Sequence, residues 1–216
     1  MKKPMEKHLT LREKILENIR DAIISGTIKA GSRVSEPDLA ERYGISRTPI
    51  REALLELSYE GLVAITPRSG MAVVGITPED AVDNFAILAT LAGKAAEMAT
   101  ARITQTELTE LQVLAGAIDG SDDVVRANRH FHRAINQAAR SPRMLTYLRQ
   151  AVRVVPGNYF ELFPEQEKRS RREHAALLDA MERGDGTAAR SIMEDHVLTA
   201  GEALGGWLAD MAAQPT

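Results

Sequence analysis

The chain has 216 residues, 44% hydrophobic and 26% charged, the balance of an ordinary soluble globular protein rather than a disordered or fibrous one. It contains no cysteine, which excludes disulfides, thiolate metal sites and a cysteine nucleophile, and no apolar run approaches the roughly 18 residues needed to span a bilayer. Net charge is −3, with 12 Lys/Arg against 10 Asp/Glu in residues 1–76 and 15 against 20 thereafter, an asymmetry too mild to establish a nucleic-acid partner by itself.

Residues 1–10 are basic and polar but lack the apolar stretch of a signal peptide, so a flexible tail, a cytoplasmic location and no membrane association are expected. Leu11 to Ser25 reads as a helix, with Ile15, Ile19, Ala22 and Ile23 at helical spacing and Gly26 as its stop. Ala30-Gly31 makes a turn. Ser35 is placed to cap a short helix, Glu36 to Tyr43, with Asp38 reaching back as in a capping box. After Gly44, Ser46 is placed to cap a third helix running to about Tyr59, whose first turn tolerates Pro49. Ile50, Ala53, Leu54 and Leu57 mark its buried face, and Gly61 ends it. Leu62 to Thr66 and Met71 to Val74 are β-type runs joined by Pro67-Arg68-Ser69-Gly70. Helix, helix–turn–helix and hairpin is the order of a winged helix-turn-helix, here over 11–75.

Thr77-Pro78-Glu79-Asp80 opens a new helix, which puts a domain boundary at about 75–78. Beyond it only helical patterns appear, roughly 79–101, 105–117, 122–139, 142–154, 164–183 and 186–210, with breaks at Thr104, Ser121, Ser141-Pro142, Pro156-Gly157 and Gly184-Asp185-Gly186. The expected fold is therefore mainly α: a winged helix-turn-helix with a small β-hairpin, then an all-helical bundle of about six helices over 78–211.

Reading DNA in the major groove requires a slim helix with Arg or polar groups near its N-terminus and donors for the flanking phosphates. Arg47 and Arg51 lie one turn apart on one edge of the third helix, with Thr48 beside them. The Ser46 end offers free backbone N–H groups to a phosphate, and Arg68 with Gly70 sits at the wing tip, suited to a narrow minor groove. Two isolated arginines at this spacing are an ordinary solvated helix edge, and Glu52 could pair with one. The capped short helix, tight turn, arginine-bearing helix start and following hairpin together favour DNA reading.

The run Leu39-Ala40-Glu41-Arg42-Tyr43-Gly44-Ile45-Ser46-Arg47-Thr48-Pro49-Ile50-Arg51-Glu52-Ala53-Leu54, with Glu60-Gly61-Leu62-Val63, closely resembles the GntR family of bacterial regulators. The resemblance covers about Leu11 to Val74. It implies that Arg47 and Arg51 contact bases or nearby phosphates, that Arg33, Ser46 and Thr48 hold the DNA backbone, and that Gly70 lets the wing approach. An all-helical domain behind such a reader resembles the FCD class of that family, in its shorter six-helix form.

In the helical half, Asn128 and His132 are four residues apart and share a helix face. His174 and His196 flank Gly184-Asp185-Gly186 at ten residues before and ten after, so an antiparallel hairpin brings the two imidazoles level. Each histidine alone is more often capped or solvated than a ligand, as His130, facing away from His132, illustrates. Three imidazoles and an amide oxygen converging in a bundle are how metal sites are built there, and such a set suits Zn, Ni, Cu or Fe. The family comparison agrees. Asn128-Arg129-His130-Phe131-His132 resembles its Asp-x-x-Phe-His, and Glu173-His174 and Asp195-His196 fall where its other ligands lie. Asn128 departs from the usual aspartate, which implies weaker metal affinity and one more positive charge, favouring an anionic effector. A divalent transition metal, Zn or Ni first, is the cofactor expected.

The family often has an arginine and glutamates in the first helix of this domain, whereas Phe85 to Gly93 is apolar throughout. An effector carboxylate would then need Arg133, Arg149, Arg153 or the metal. Three readings compete, one of them a helical interaction protein that uses its N-terminal module for protein contacts. A ligand-responsive homodimer would bind double-stranded operator DNA under control of a small organic acid. A small metal-dependent hydrolase could instead be built on the histidine cluster, but it lacks a His-Glu-x-x-His helix and an obvious general base, and no catalytic residue is assigned.

Overall fold

Two compact units meet in sequence at Ile76 and Thr77. A computed structural model describes residues 10–66, 70–118 and 124–213. Residues 1–9, the wing tip Pro67-Arg68-Ser69, the break expected at Ser121 and the helix start expected at 122 lie outside the described residues.

In the first unit α1 (Leu11–Ile24) opens with a full capping box, in which Glu13 N–H donates to Thr10 Oγ1 and Thr10 N–H to Glu13 Oε2. Its face Ile15, Ile19 and Ile23 packs on Ile50, Ala53, Leu54 and Leu57 of α3 (Arg47–Tyr59). Between them α2 (Glu36–Tyr43) contributes Leu39 and Ala40 to the same core. It ends at Gly44, whose φ of 65° is the left-handed turn that glycine adopts freely. That turn aims the start of α3 away from α2.

Two local expectations need correction. Ser35 Oγ accepts from Asp38 N–H, but Asp38 does not reach back, and its exposed carboxylate stays in water. Ser46 occupies the N-cap position of α3 without a side-chain cap bond, so the orphan N–H groups of that helix start remain open.

The expected hairpin is part of a three-stranded antiparallel sheet in the order β1-β3-β2, where β1 is Arg33–Val34, β2 Val63–Thr66 and β3 Gly70–Val73. Arg33 pairs with Ala72, and Val63 with Val73. A two-residue strand has no alternation to read, so β1 leaves no mark in the sequence pattern.

The second unit is helical: α4 (Pro78–Thr100), α5 (Gln105–Ile118), α6 (Val124–Ala138), α7 (Pro142–Ala151), α8 (Tyr159–Leu162), α9 (Pro164–Glu182) and α10 (Gly186–Ala213). The expected helix 142–154 ends at Ala151 and continues as a 3-10 turn over Val152–Val154. The short α8, closed in between Pro156-Gly157 and Pro164, was not anticipated; four residues carry no legible period. The long pair α4 and α10 approaches closely because Gly201 and Gly205 face Phe85 and Val82. Gly184, at φ 71°, turns α9 back into α10. No helix among the described residues is long and apolar enough to cross a membrane.

Candidate DNA-reading surface and metal centre

Arg47, Thr48 and Arg51 are exposed on the first turns of α3, and Ser46 is exposed just before them. Among the described residues neither Arg47 nor Arg51 has an ion-pair or hydrogen-bonding partner for its side chain. Glu52, the neighbouring carboxylate that could pair with either, is 3.3 Å from Arg12 Nε instead, and Glu56 is 2.7 Å from Arg12 Nη2. Further along, Arg20 grips Glu60 with two bonds of 2.8 Å in a largely buried pair. The two acids of α3, and Glu60 just after it, are thus turned toward α1, and Arg47 and Arg51 toward solvent. Arg33 is exposed on β1, and Gly70 is exposed with φ 85° at the start of β3. Arg68 lies outside the described residues.

The second constellation is built by three helices of the helical unit. α6 carries Asn128 and His132, α9 His174 and α10 His196. His132 Nε2 stands 3.2 Å from His174 Nε2 and 3.2 Å from His196 Nε2, and one ring nitrogen from each lies within 4.8 Å of the others. Phe131, fully buried, stacks at 4.3 Å on the His174 ring. His130 is exposed, away from the cluster.

A hydrogen bond behind one ring sets its tautomer. His196 Nδ1–H donates to Glu173 Oε2 at 2.8 Å, which leaves its Nε2 lone pair facing the cluster. The other oxygen of Glu173 accepts from Arg169 Nε. Burial pushes the Glu173 carboxyl up, but the bonds from His196 and Arg169 outweigh it and hold the group below the usual range. Burial, aided by His196, pushes His132 down to about 3. His174 is lowered for the same first reason and by both neighbouring imidazoles. Both rings are therefore neutral near pH 7, the state a metal requires.

Protein hydrogen bonds alone do not satisfy this arrangement. Each neutral ring has one N–H, so His132 Nε2 can donate to only one of its two neighbours, leaving other lone pairs face to face. Asn128 Oδ1, one turn before His132, is buried with no hydrogen-bond partner. A single cation among the three nitrogens answers the first problem, and the amide one helical turn away is a candidate to join it. Nitrogens bound to one ion at roughly 2.1 Å stand about 3.0 Å apart at a right angle and about 3.4 Å apart in a tetrahedron, a range that brackets the two 3.2 Å separations. The three imidazoles thus suit a divalent transition metal, with Asn128, four residues before His132 on the same helix, the candidate fourth donor.

The arginines considered for an effector are less well placed. Arg133 and Arg149 are exposed, and Arg149 Nη2 donates to Thr146 Oγ1 on its own helix; Arg153 is partly buried on the 3-10 turn. Sequence reasoning missed the orienting role of Glu173. The Arg169–Glu173 spacing of four, adjoining His174, was the available signal.

Comparison with known proteins gives two family matches. Residues 11–73 match "Bacterial regulatory proteins, gntR family" and residues 83–199 match "FCD domain". The HTH-type transcriptional regulator McbR of Escherichia coli is 27% identical over 175 residues, 78% of this chain and 79% of that protein. An uncharacterized HTH-type transcriptional regulator of Bacillus subtilis, YdhC, is 33% identical over 121 residues, 53% of this chain; the match spans about half of that relative, 54%. Among solved structures, E. coli McbR/YncC superposes with a TM-score of 0.70 at 22% identity, covering 94% of this chain and 100% of that one. A Listeria monocytogenes structure, described as Lar controlling the agr system, gives 0.63 at 16%, covering 92% and 98%. At those identities the structures show a shared fold.

Proposed function

The chain belongs to the GntR family of bacterial regulators and carries its FCD domain, a transcriptional regulator and not an enzyme; on that premise we propose that it binds operator DNA as a cytoplasmic homodimer whose affinity is set by a small organic acid at a metal centre. The observation that carries the reading is the convergence of three imidazole nitrogens, with a buried, unpartnered amide oxygen one helical turn before His132.

The reader unit supplies the output. Arg47 and Arg51 reach base edges from one face of α3, while the open N–H groups at Ser46, with Thr48 and Arg33, hold phosphates. Gly70, and Arg68 beyond it, lets the wing close on the backbone. One such reader covers a half-site, and operator specificity calls for two.

The helical unit supplies the input. Asn128, His132, His174 and His196 would hold the ion, with Zn or Ni suited to this set. When bound, the ion supplies a Lewis-acidic position for an effector carboxylate. Glu173 keeps His196 in the ligating tautomer, and Phe131 shields one side of His174 from water. The apolar stretch from Phe85 to Gly93 leaves the metal as the main cationic group for the acid. The hydrolase reading has no support: the one carboxylate bonded to the cluster, among the described residues, is already engaged by His196 and Arg169.

The test is a titration of fluorescent DNA from the gene's own upstream region, followed by a thermal-shift screen of small carboxylic acids on zinc-loaded protein. The reading expects steeply salt-dependent binding and at least one acid that both raises the melting temperature and shifts operator affinity. Failure of every such acid to change operator affinity would remove the acid-sensing part.

A further inference from the structure

All four donors at the centre are electrically neutral. An aspartate at position 128 would cancel one charge of a divalent ion, and the amide of Asn128 cancels none. The one carboxylate hydrogen-bonded to any of the three rings, among the described residues, is Glu173, on His196, and it stands a step outside the donor set. Its charge is also shared with Arg169. His174 is only 2% exposed and lies against the fully buried Phe131 ring, so water screens this side poorly. A net double charge in such surroundings carries a heavy desolvation penalty unless an anion joins it. Metal retention by the protein alone is weakened further at His174, whose Nδ1 has no acceptor to orient the ring or raise its basicity.

We infer that the metal and an oxygen-donor monoanion of the carboxylate class bind this centre together, each strengthening the other, and that Asn128 is the residue that creates this coupling. The inference rests on the metal reading given above and goes beyond it. The ion is then no permanent fixture that an effector later visits. It is retained when the anion is present and released when the anion is scarce. Reciprocity is obligatory: whatever factor the anion adds to metal affinity, the metal adds to anion affinity. Replacing Asn128 by aspartate supplies the missing charge from within the protein. That variant keeps the metal unaided and gives an incoming anion less to gain.

The experiment measures zinc affinity of the full chain by competition with a chromophoric chelator, in sodium acetate and in sodium methanesulfonate of equal ionic strength. Acetate is the probe anion, and methanesulfonate coordinates weakly. For the native sequence, acetate should tighten zinc about tenfold or more, inside the usual range of coupled sites. Asn128→Asp should bind zinc more tightly in methanesulfonate and gain less than about threefold from acetate, a coupling close to zero. Cobalt-loaded native protein should change its visible spectrum on acetate addition, which needs no variant. Equal zinc affinity of the native chain in the two salts, an unchanged cobalt spectrum, or the same acetate gain in Asn128→Asp would each overturn the coupling. Absence of zinc binding in both salts is a different result, and would refute the metal reading itself.

Discussion

The contact between α4 and α10 makes a sharp prediction, because two glycines on one helix should respond with opposite signs. A Cβ at Gly201 would stand 2.3 Å from Phe85 Cβ, 2.7 Å from its Cγ and 3.2 Å from its Cδ1. Carbon atoms rest at about 3.5–4.0 Å, so Gly201→Ala forces the helices apart by more than an ångström. Phe85 is 2% exposed and cannot swing out of the way. Overpacking of this severity costs about 3 kcal/mol, against about 1 kcal/mol recovered from the better helix propensity of alanine. The net loss is about 2 kcal/mol, or roughly 6 °C in melting temperature for a unit of this size. Gly206 faces open space on the same helix, with nothing within 4 Å of its would-be Cβ. Gly206→Ala should therefore keep the propensity gain and stabilise by up to about 1 kcal/mol. Thermal melts of the full chain by circular dichroism compare the two variants. Equal melting temperatures for both would refute this account of the α4–α10 packing.

Three further outcomes follow from the same geometry. Arg51→Ala should weaken operator binding by about 1–3 kcal/mol if the arginine makes a bidentate base contact; unchanged preference for operator over random DNA in an anisotropy titration would remove Arg51 from the reading face. Arg20→Ala takes from the buried carboxylate of Glu60 the guanidinium bonded to it at two points and should destabilise the reader by about 3–5 kcal/mol; a urea melt with a loss under about 1 kcal/mol, the size of an exposed pair, would contradict the buried-pair assignment. Metal-stripped protein should lose stability as pH falls from about 6.5 toward 3, because the unfolded chain takes up a proton on His132 that the fold refuses. The slope is about 1.4 kcal/mol per pH unit for each histidine kept neutral, and a flat melting temperature between pH 6.5 and 4.5 would show that His132 protonates freely.

Much of the reader was legible because its punctuation is local. Gly44, Gly61 and Gly26 all take the positive φ that their places after helices imply, and the apolar face Ile50–Ala53–Leu54–Leu57 is the buried face. The features that stayed hidden depend on partners distant in sequence. β1 exists only because Arg33 and Val34 find Ala72 and Met71 across the sheet, and two residues cannot announce that pairing. The redirection of Glu52 toward Arg12 is likewise a tertiary fact, invisible along α3 itself.

At the candidate centre, equal spacing about the Gly184 turn was enough to bring His174 and His196 level, with ring centroids 5.0 Å apart. The arrival of His132 from α6 depended on packing that spacing does not encode. Glu173 was in plain view as a neighbour of His174, yet its role is toward His196 on the following helix. A residue beside a candidate ligand on a helix points about 100° away from it, and so serves a different partner.

The most direct test is metal stoichiometry. Full-length protein is loaded with excess zinc, desalted in acetate buffer and measured by elemental analysis, alongside His174→Ala prepared in the same way. About one zinc per chain is expected for the native sequence, one donor set to each chain, and a loss of most of it in the variant, with both proteins still binding operator DNA. A native chain without zinc, or a variant that retains as much as the native chain, would contradict it.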